Sequence, residues 1–128
     1  MTEEARWLPL AAVADVPESG LAFTFPSGPF TEGGILICTG TGVRAWLNRC
    51  RHLSVPLDHD APGEFLTGDR RHLVCGKHGA LYRPEDGLCV AGPCRGASLR
   101  PLRVAVRQGK VCLDTTSLPD PLAGLETP

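Results

Sequence analysis

The chain has 128 residues, a length that fits one domain with a modest core, and its formal charge of −1 shows no basic surplus. Binding to nucleic acid would need that surplus to release counterions, and crossing a bilayer would need an apolar run of roughly 18 residues, which is absent. Fifteen glycines and twelve prolines interrupt the chain every few residues, which excludes long helices and favours short strands joined by turns.

The first residues, MTEEAR, are acidic before they are basic, and the apolar run after them soon meets Asp15, unlike a secretion signal. We therefore expect a soluble, cytoplasmic protein, in which six cysteines serve as ligands or buried thiols rather than as a disulfide framework. No segment longer than ten residues shows a convincing helical period; RWLPLAAVADV (6–16) is the best candidate, and Pro9 weakens it. Strands are predicted at LAFTF (21–25), GILICTG (34–40) and VRAWLN (43–48), with TGTG turning the second onto the third. Further strands are predicted at HLVC (72–75), GLCV (87–90), LRVAVR (102–107) and KVCLD (110–114). Gln108 and Gly109 form a two-residue hairpin signal between the last two. Long loops are expected at 49–71 and 91–101. The expected fold is all-β, one domain over 1–114 followed by a loose C-terminal tail over 115–128.

Two cysteine–histidine pairs lie on turns: Cys50 and His52 as C-x-H, then, after 22 residues, Cys75 and His78 as C-x-x-H. One buried cysteine or one histidine is more often a packing or surface residue than a ligand; two spaced pairs are a metal site. Zinc would take all four donors as a structural clamp. An iron–sulfur pair would divide them, both cysteines on one iron and both histidines on the other. Cys2His2 zinc fingers pair like with like, whereas each turn here mixes the two types, as a divided set requires.

Cys50, His52, Cys75 and His78 resemble the C-x-H…C-x-x-H motif of the Rieske family position for position. The likeness runs from about Ala45 to Val111, with Gly79 after the second histidine and Gly92-Pro93 as the family's proline-containing covering loop. The resemblance implies a small antiparallel β-sandwich of the Rieske type, with one [2Fe-2S] cluster clasped by two loops at its tip. Gly79, Tyr82 and Pro93 are then expected around the cluster. Two neutral imidazoles in place of two thiolates raise the reduction potential, to about −150 to +300 mV for the class. Solvent-facing imidazoles should make that potential fall as pH rises.

High-potential members carry one extra cysteine per loop, bonded to each other; Val55 and Lys77 stand at those places, so the brace is missing. Ala80 occupies the position of a sulfur-bonding serine, while Tyr82 occupies that of the family's tyrosine donor. The lower half of the range is therefore expected. Tyr82 read from sequence alone is equally a packing aromatic. Arg49, Arg51 and Lys77 flank the ligands and could steer an acidic partner, or simply be solvated loop charge. Cys38 and Cys112 fall in apolar runs and are expected in the core. Cys89 and Cys94 are expected near the cluster as a reduced pair, with a disulfide the alternative.

The family's oxygenases add a catalytic domain with mononuclear iron, and beyond the ligands only His59 and His72 remain. The resemblance thus implies a ferredoxin, a one-electron carrier from a flavin-dependent reductase to an oxygenase or other acceptor, not an enzyme by itself. The alternatives are a small Rieske subunit of a larger oxidoreductase, and a structural zinc or iron–sulfur sensor module.

Overall fold

The computed structural model describes residues 6–40, 42–51, 55–76 and 79–118. The elements are β1 (Trp7–Ala12), a 3-10 turn (Val13–Asp15), β2 (Leu21–Ser27), β3 (Phe30–Thr39) and β4 (Gly42–Leu47), followed by β5 (Leu73–Val74) and β6 (Leu81–Tyr82). The chain continues through β7 (Cys89–Ala91), β8 (Pro101–Leu102), β9 (Val104–Arg107) and β10 (Lys110–Asp114). They form three antiparallel sheets, ordered β1-β10-β9, β2-β3-β4-β8 and β5-β6-β7. The all-β antiparallel fold expected from the sequence is what the chain adopts. Among the described residues no helix is long and apolar enough to cross a membrane.

The middle sheet lies between two apolar clusters, and its sequence shows why. Along β3, Ile35 and Ile37 pack into one cluster and Leu36 into the other; along β4, Trp46 joins the first while Ala45 and Leu47 join the second. A strand covered on both faces needs an unbroken apolar run, which is what ILI and AWL supply. Gly34 sits under the Phe23 ring, its cross-strand partner: a Cβ there would come within 2.3 Å of the ring. The β9–β10 hairpin turns through Gln108 (φ 54°) and Gly109 (φ 78°), the two positive φ values that a tight two-residue turn demands.

Three details differ from the sequence reading. Residues 7–12, within the best helical candidate but without a convincing helical period, form a strand. Leu8 and Leu10 alternate inward around an exposed Pro9, and β1 is an edge strand whose pairing with β10 shifts register between Pro9 and Ala11. Proline lacks the N–H that a central strand would need, and an edge with a bulge removes the demand. The two-residue strand β6 was not anticipated, being too short to show a period. Cys38 is exposed rather than in the core, whereas Cys112 is buried as expected. Cys38 follows Leu36 on the same face, but the last β2 pair is Leu21 with Leu36, so nothing from β2 covers the residue two further on.

At the C-terminal end, the Thr115 N–H and hydroxyl both donate to the Arg6 carbonyl (2.9 and 2.8 Å), and Leu118 packs on the second cluster. The remainder of the expected tail, 119–128, lies outside the described residues.

Candidate metal centre

Both cysteine-bearing loops pack on the side of the middle sheet that carries the first apolar cluster. The first follows β4. The Asn48 N–H donates to the Gly33 carbonyl (2.9 Å), and the Cys50 N–H donates across the turn to the Val55 carbonyl (2.7 Å). The Asn48 side chain ties the loop down at two points, accepting from the Leu57 N–H (2.8 Å) and donating to Asp58 Oδ1 (3.0 Å). The second loop is the hairpin between β5 and β6. The Cys75 N–H donates to the Ala80 carbonyl and the Gly79 N–H to the Cys75 carbonyl, each at 2.9 Å. Gly79 closes this turn at φ +72°, in the left-handed region that favours glycine. The Gly76 N–H donates to the Leu57 carbonyl (3.1 Å), so the two loops are stitched directly to each other.

This stitching brings together cysteines 25 positions apart in sequence. Cys50 and Cys75 are both about 1 % exposed and belong to the same buried cluster. Their histidine partners in the motif, His52 and His78, lie outside the described residues, as does Lys77.

Tyr82 is the most informative neighbour. Its side chain is fully buried, and its hydroxyl reaches Cys50 Sγ (3.3 Å), Cys94 Sγ (3.1 Å) and the Arg51 N–H (3.0 Å), which donates to it. It is thus both a packing aromatic and a sulfur-bonding group. Burial, reinforced by the two sulfurs, pushes its hydroxyl well above the ordinary tyrosine range, so it stays protonated and able to donate. Burial also pushes the Cys94 thiol up to about 11, with Cys89 adding to the rise and Tyr82 opposing it.

The covering loop meets the second ligand loop at a backbone contact. Gly92 has φ +98°, and a Cβ on it would stand 2.8 Å from Ala80 Cα. Ala80 is itself completely buried. Pro93 stands exposed on the turn between Gly92 and Cys94. Nearby, Arg49 pairs with the buried Glu32 (2.6 Å). Arg51 is exposed, and Arg100 is held below the usual guanidinium range by burial and by the closeness of Arg51 and Arg49. His59 bonds Asp60 (3.0 Å) on the surface. Sequence reasoning missed Asn48 and the contact of Cys94 with Tyr82. Asn48 carried a weak signal, a turn-forming amide just before a ligand loop; the Cys94 contact spans 12 positions and carried none.

Two buried sulfurs on stitched turns, one beside a protonated tyrosine hydroxyl, suit thiolate ligands in a low-dielectric site. The fold defines the class, an all-β antiparallel protein with two buried cysteines on adjoining turns. A family model, that of the Rieske [2Fe-2S] domain, matches residues 6–113, and the chain belongs to that family. Its cofactor is a [2Fe-2S] cluster.

Solved structures share the fold. The terminal oxygenase of carbazole 1,9a-dioxygenase from Nocardioides aromaticivorans IC177 is 24% identical with a TM-score of 0.69, over 90% of this chain and 31% of that one. The ferredoxin of carbazole 1,9a-dioxygenase from the same organism is 19% identical (TM-score 0.64), over 84% of this chain and 95% of its own. The Sphingomonas yanoikuyae B1 ferredoxin is 22% identical (TM-score 0.64), over 85% and 98%. The chain therefore spans under a third of the oxygenase and nearly all of each ferredoxin. No curated protein matches the sequence.

Proposed function

We propose that this protein is a Rieske-type ferredoxin, a cytoplasmic one-electron carrier that takes electrons from a flavin-dependent reductase and passes them to an oxygenase. The observation that carries the reading is the meeting of Cys50 and Cys75 in one buried cluster, on loops stitched by the Gly76–Leu57 bond, in a chain of the Rieske family. Cys50 and Cys75 hold the inner iron in this reading, and His52 and His78 the outer one. Bound there, a [2Fe-2S] cluster supplies reversible one-electron chemistry.

The residues of the chain do the rest. Tyr82 directs its hydroxyl hydrogen to Cys50 Sγ and so stabilises negative charge on that sulfur. Leu57 and Phe65, both about 1 % exposed, belong to the cluster that encloses the two cysteines and shields the inner side from water. Arg51 and Arg100 place positive charge beside the first loop, which suits a partner presenting an acidic face. The likeness in length to ferredoxins, and a neighbouring structure described as a complex of reduced oxygenase and oxidized ferredoxin, support an oxygenase as the acceptor.

Visible absorption, iron and sulfide content, and the EPR spectrum of the reduced protein test the reading. A red-brown protein with two irons per chain and a reduced-state signal is expected. Colourless protein holding stoichiometric zinc would overturn the carrier role in favour of a structural module. Reduction by a flavin reductase with NADH, followed by reoxidation on adding an oxygenase, then separates a free shuttle from a fixed subunit.

A further inference from the structure

Cys89 and Cys94 are thiols that the carrier reading leaves without a task. Cys89 Sγ and Cys94 Sγ lie 3.2 Å apart, and both cysteines are free. The backbone holds them face to face. The Cys89 N–H donates to the Ala97 carbonyl (2.7 Å), the Gly96 N–H to the Cys89 carbonyl (3.0 Å) and the Ala97 N–H to the Cys94 carbonyl (2.9 Å). Bonding would require the sulfurs to approach by roughly 1.2 Å, to the ~2.05 Å of a disulfide. Cys94 is partly exposed, whereas Cys89 is buried.

The pair is also wired to the centre. Cys94 Sγ is 3.1 Å from the Tyr82 hydroxyl, which is 3.3 Å from Cys50 Sγ. The Tyr82 oxygen already accepts from the Arg51 N–H (3.0 Å) and has a single hydrogen to give. A metal-bound Cys50 is a thiolate and can only accept. The tyrosine hydrogen therefore goes to Cys50. Cys89 gives its own hydrogen to the Ala91 carbonyl (3.2 Å), so the Cys94 hydrogen serves the two acceptors within its reach, Cys89 Sγ (3.2 Å) and the tyrosine oxygen (3.1 Å). Donation into that oxygen strengthens the bond Tyr82 makes to Cys50.

We propose that Cys89 and Cys94 form a dithiol modification site that closes to a disulfide and, by closing, lowers the reduction potential of the centre through Tyr82. The oxidant is a small-molecule disulfide. Cys94, the accessible partner, attacks one of its sulfurs as thiolate, the small S–S bond breaks and one thiolate leaves. Cys89 then attacks Cys94 Sγ, releasing the second thiolate. Two protein thiols become one disulfide, and the two electrons and two protons leave on two small thiols. Exchange is slow because Cys94 is held protonated, so closure follows the standing thiol–disulfide ratio rather than brief exposure. With the bond closed, Cys94 has no hydrogen to give and Tyr82 becomes a weaker donor to Cys50. The coupling rests on the cluster reading; the pairing does not.

The test uses the purified holoprotein, incubated anaerobically at mildly alkaline pH in graded mixtures of reduced and oxidised glutathione. Alkylation and peptide mass mapping follow the pair, while dye-mediated titration and EPR follow the centre. The expected result is a Cys89–Cys94 disulfide in oxidising mixtures. The equilibrium constant for reduction of the centre should fall two- to tenfold with it, tenfold being about 59 mV for one electron. Cys89→Ala should form no protein disulfide and keep the potential of the dithiol protein in reducing mixtures; in oxidising mixtures mass mapping should find it halted at the Cys94–glutathione mixed disulfide, which marks Cys94 as the attacking thiol. Cys94→Ser should lose the response to glutathione while its hydroxyl keeps the donor. Alkylatable Cys89 and Cys94 throughout, with the centre intact, would overturn the site. A mapped disulfide with an unmoved potential would overturn the coupling. Absence of iron and EPR signal would overturn the coupling together with the carrier reading, and mass mapping would still decide the pairing.

Discussion

The Tyr82 hydroxyl stands 3.3 Å from Cys50 Sγ, and at 3.0 Å it accepts the N–H of Arg51, the next residue in the first ligand loop. One side chain from the end of β6 thus touches both the Cys50 sulfur and the backbone of the loop that carries it. Tyr82→Phe keeps the packing and removes the donor. We expect a lower potential by roughly 20–60 mV, corresponding to a hydrogen bond of about 0.5–1.5 kcal/mol. Voltammetry of the variant beside the parent checks this; equal potentials would mean that Tyr82 only packs.

Ala80 is buried and carries no hydroxyl at the place where the resemblance implies a sulfur-bonding serine, whereas the Tyr82 hydroxyl does reach Cys50 Sγ. The midpoint of the parent protein is expected in the lower half of the class range of about −150 to +300 mV. A value well above about +150 mV, still inside that range, would show donors to sulfur beyond Tyr82.

Ligand substitutions separate iron from zinc and test the motif. Cys50→Ala, Cys75→Ala and His78→Ala should each abolish the iron chromophore, because a [2Fe-2S] centre with a missing donor does not assemble. Chelation of the parent should lower its melting temperature, since a metal held by both loops would tie them together and its binding adds to folding stability. Unchanged absorption in any of the three variants would remove that residue from the ligand set.

Gly92 meets Ala80 at backbone distance and at a positive φ. Gly92→Val brings both a clash at 2.8 Å and a strained backbone, and should cost about 2–4 kcal/mol of stability. Urea unfolding measures it. Gly63, also at positive φ (84°) but with open space where its Cβ would go, is the control: Gly63→Ala should cost about 1 kcal/mol.

Asp114 is buried and accepts from Arg6 (2.9 and 3.2 Å) and Thr116 (2.6 and 2.9 Å); Arg6 first, then Thr116, hold its carboxyl well below the ordinary aspartate range. The unfolded carboxyl titrates near 3.9. Its contribution is therefore fully present above about pH 4 to 5 and is lost as pH falls toward the depressed value of the folded state. Thermal melts between pH 7 and pH 3 should show a progressive fall at the acid end. Asp114→Asn should lower stability at pH 7 and flatten that acid dependence; a parallel pH curve would assign the acid sensitivity elsewhere.

The sequence by itself determined the β class, seven of the ten strands among the described residues and the cysteine–histidine pattern, because each is a local signal. Alternation, a glycine at a turn and the spacing C-x-H…C-x-x-H are written within a few positions. Tertiary structure decided what depends on neighbours distant in the chain. RWLPL became a strand because β10 offered an edge that tolerates Pro9. Cys38 was left exposed because β2 ends at the Leu21–Leu36 pair. Cys94 was expected near the centre, but its contact with Tyr82 was made by the fold of the Gly92 loop over the β5–β6 hairpin. Spacing can name a donor set, but the bonds around its sulfurs come from side chains that meet only when the sheets close.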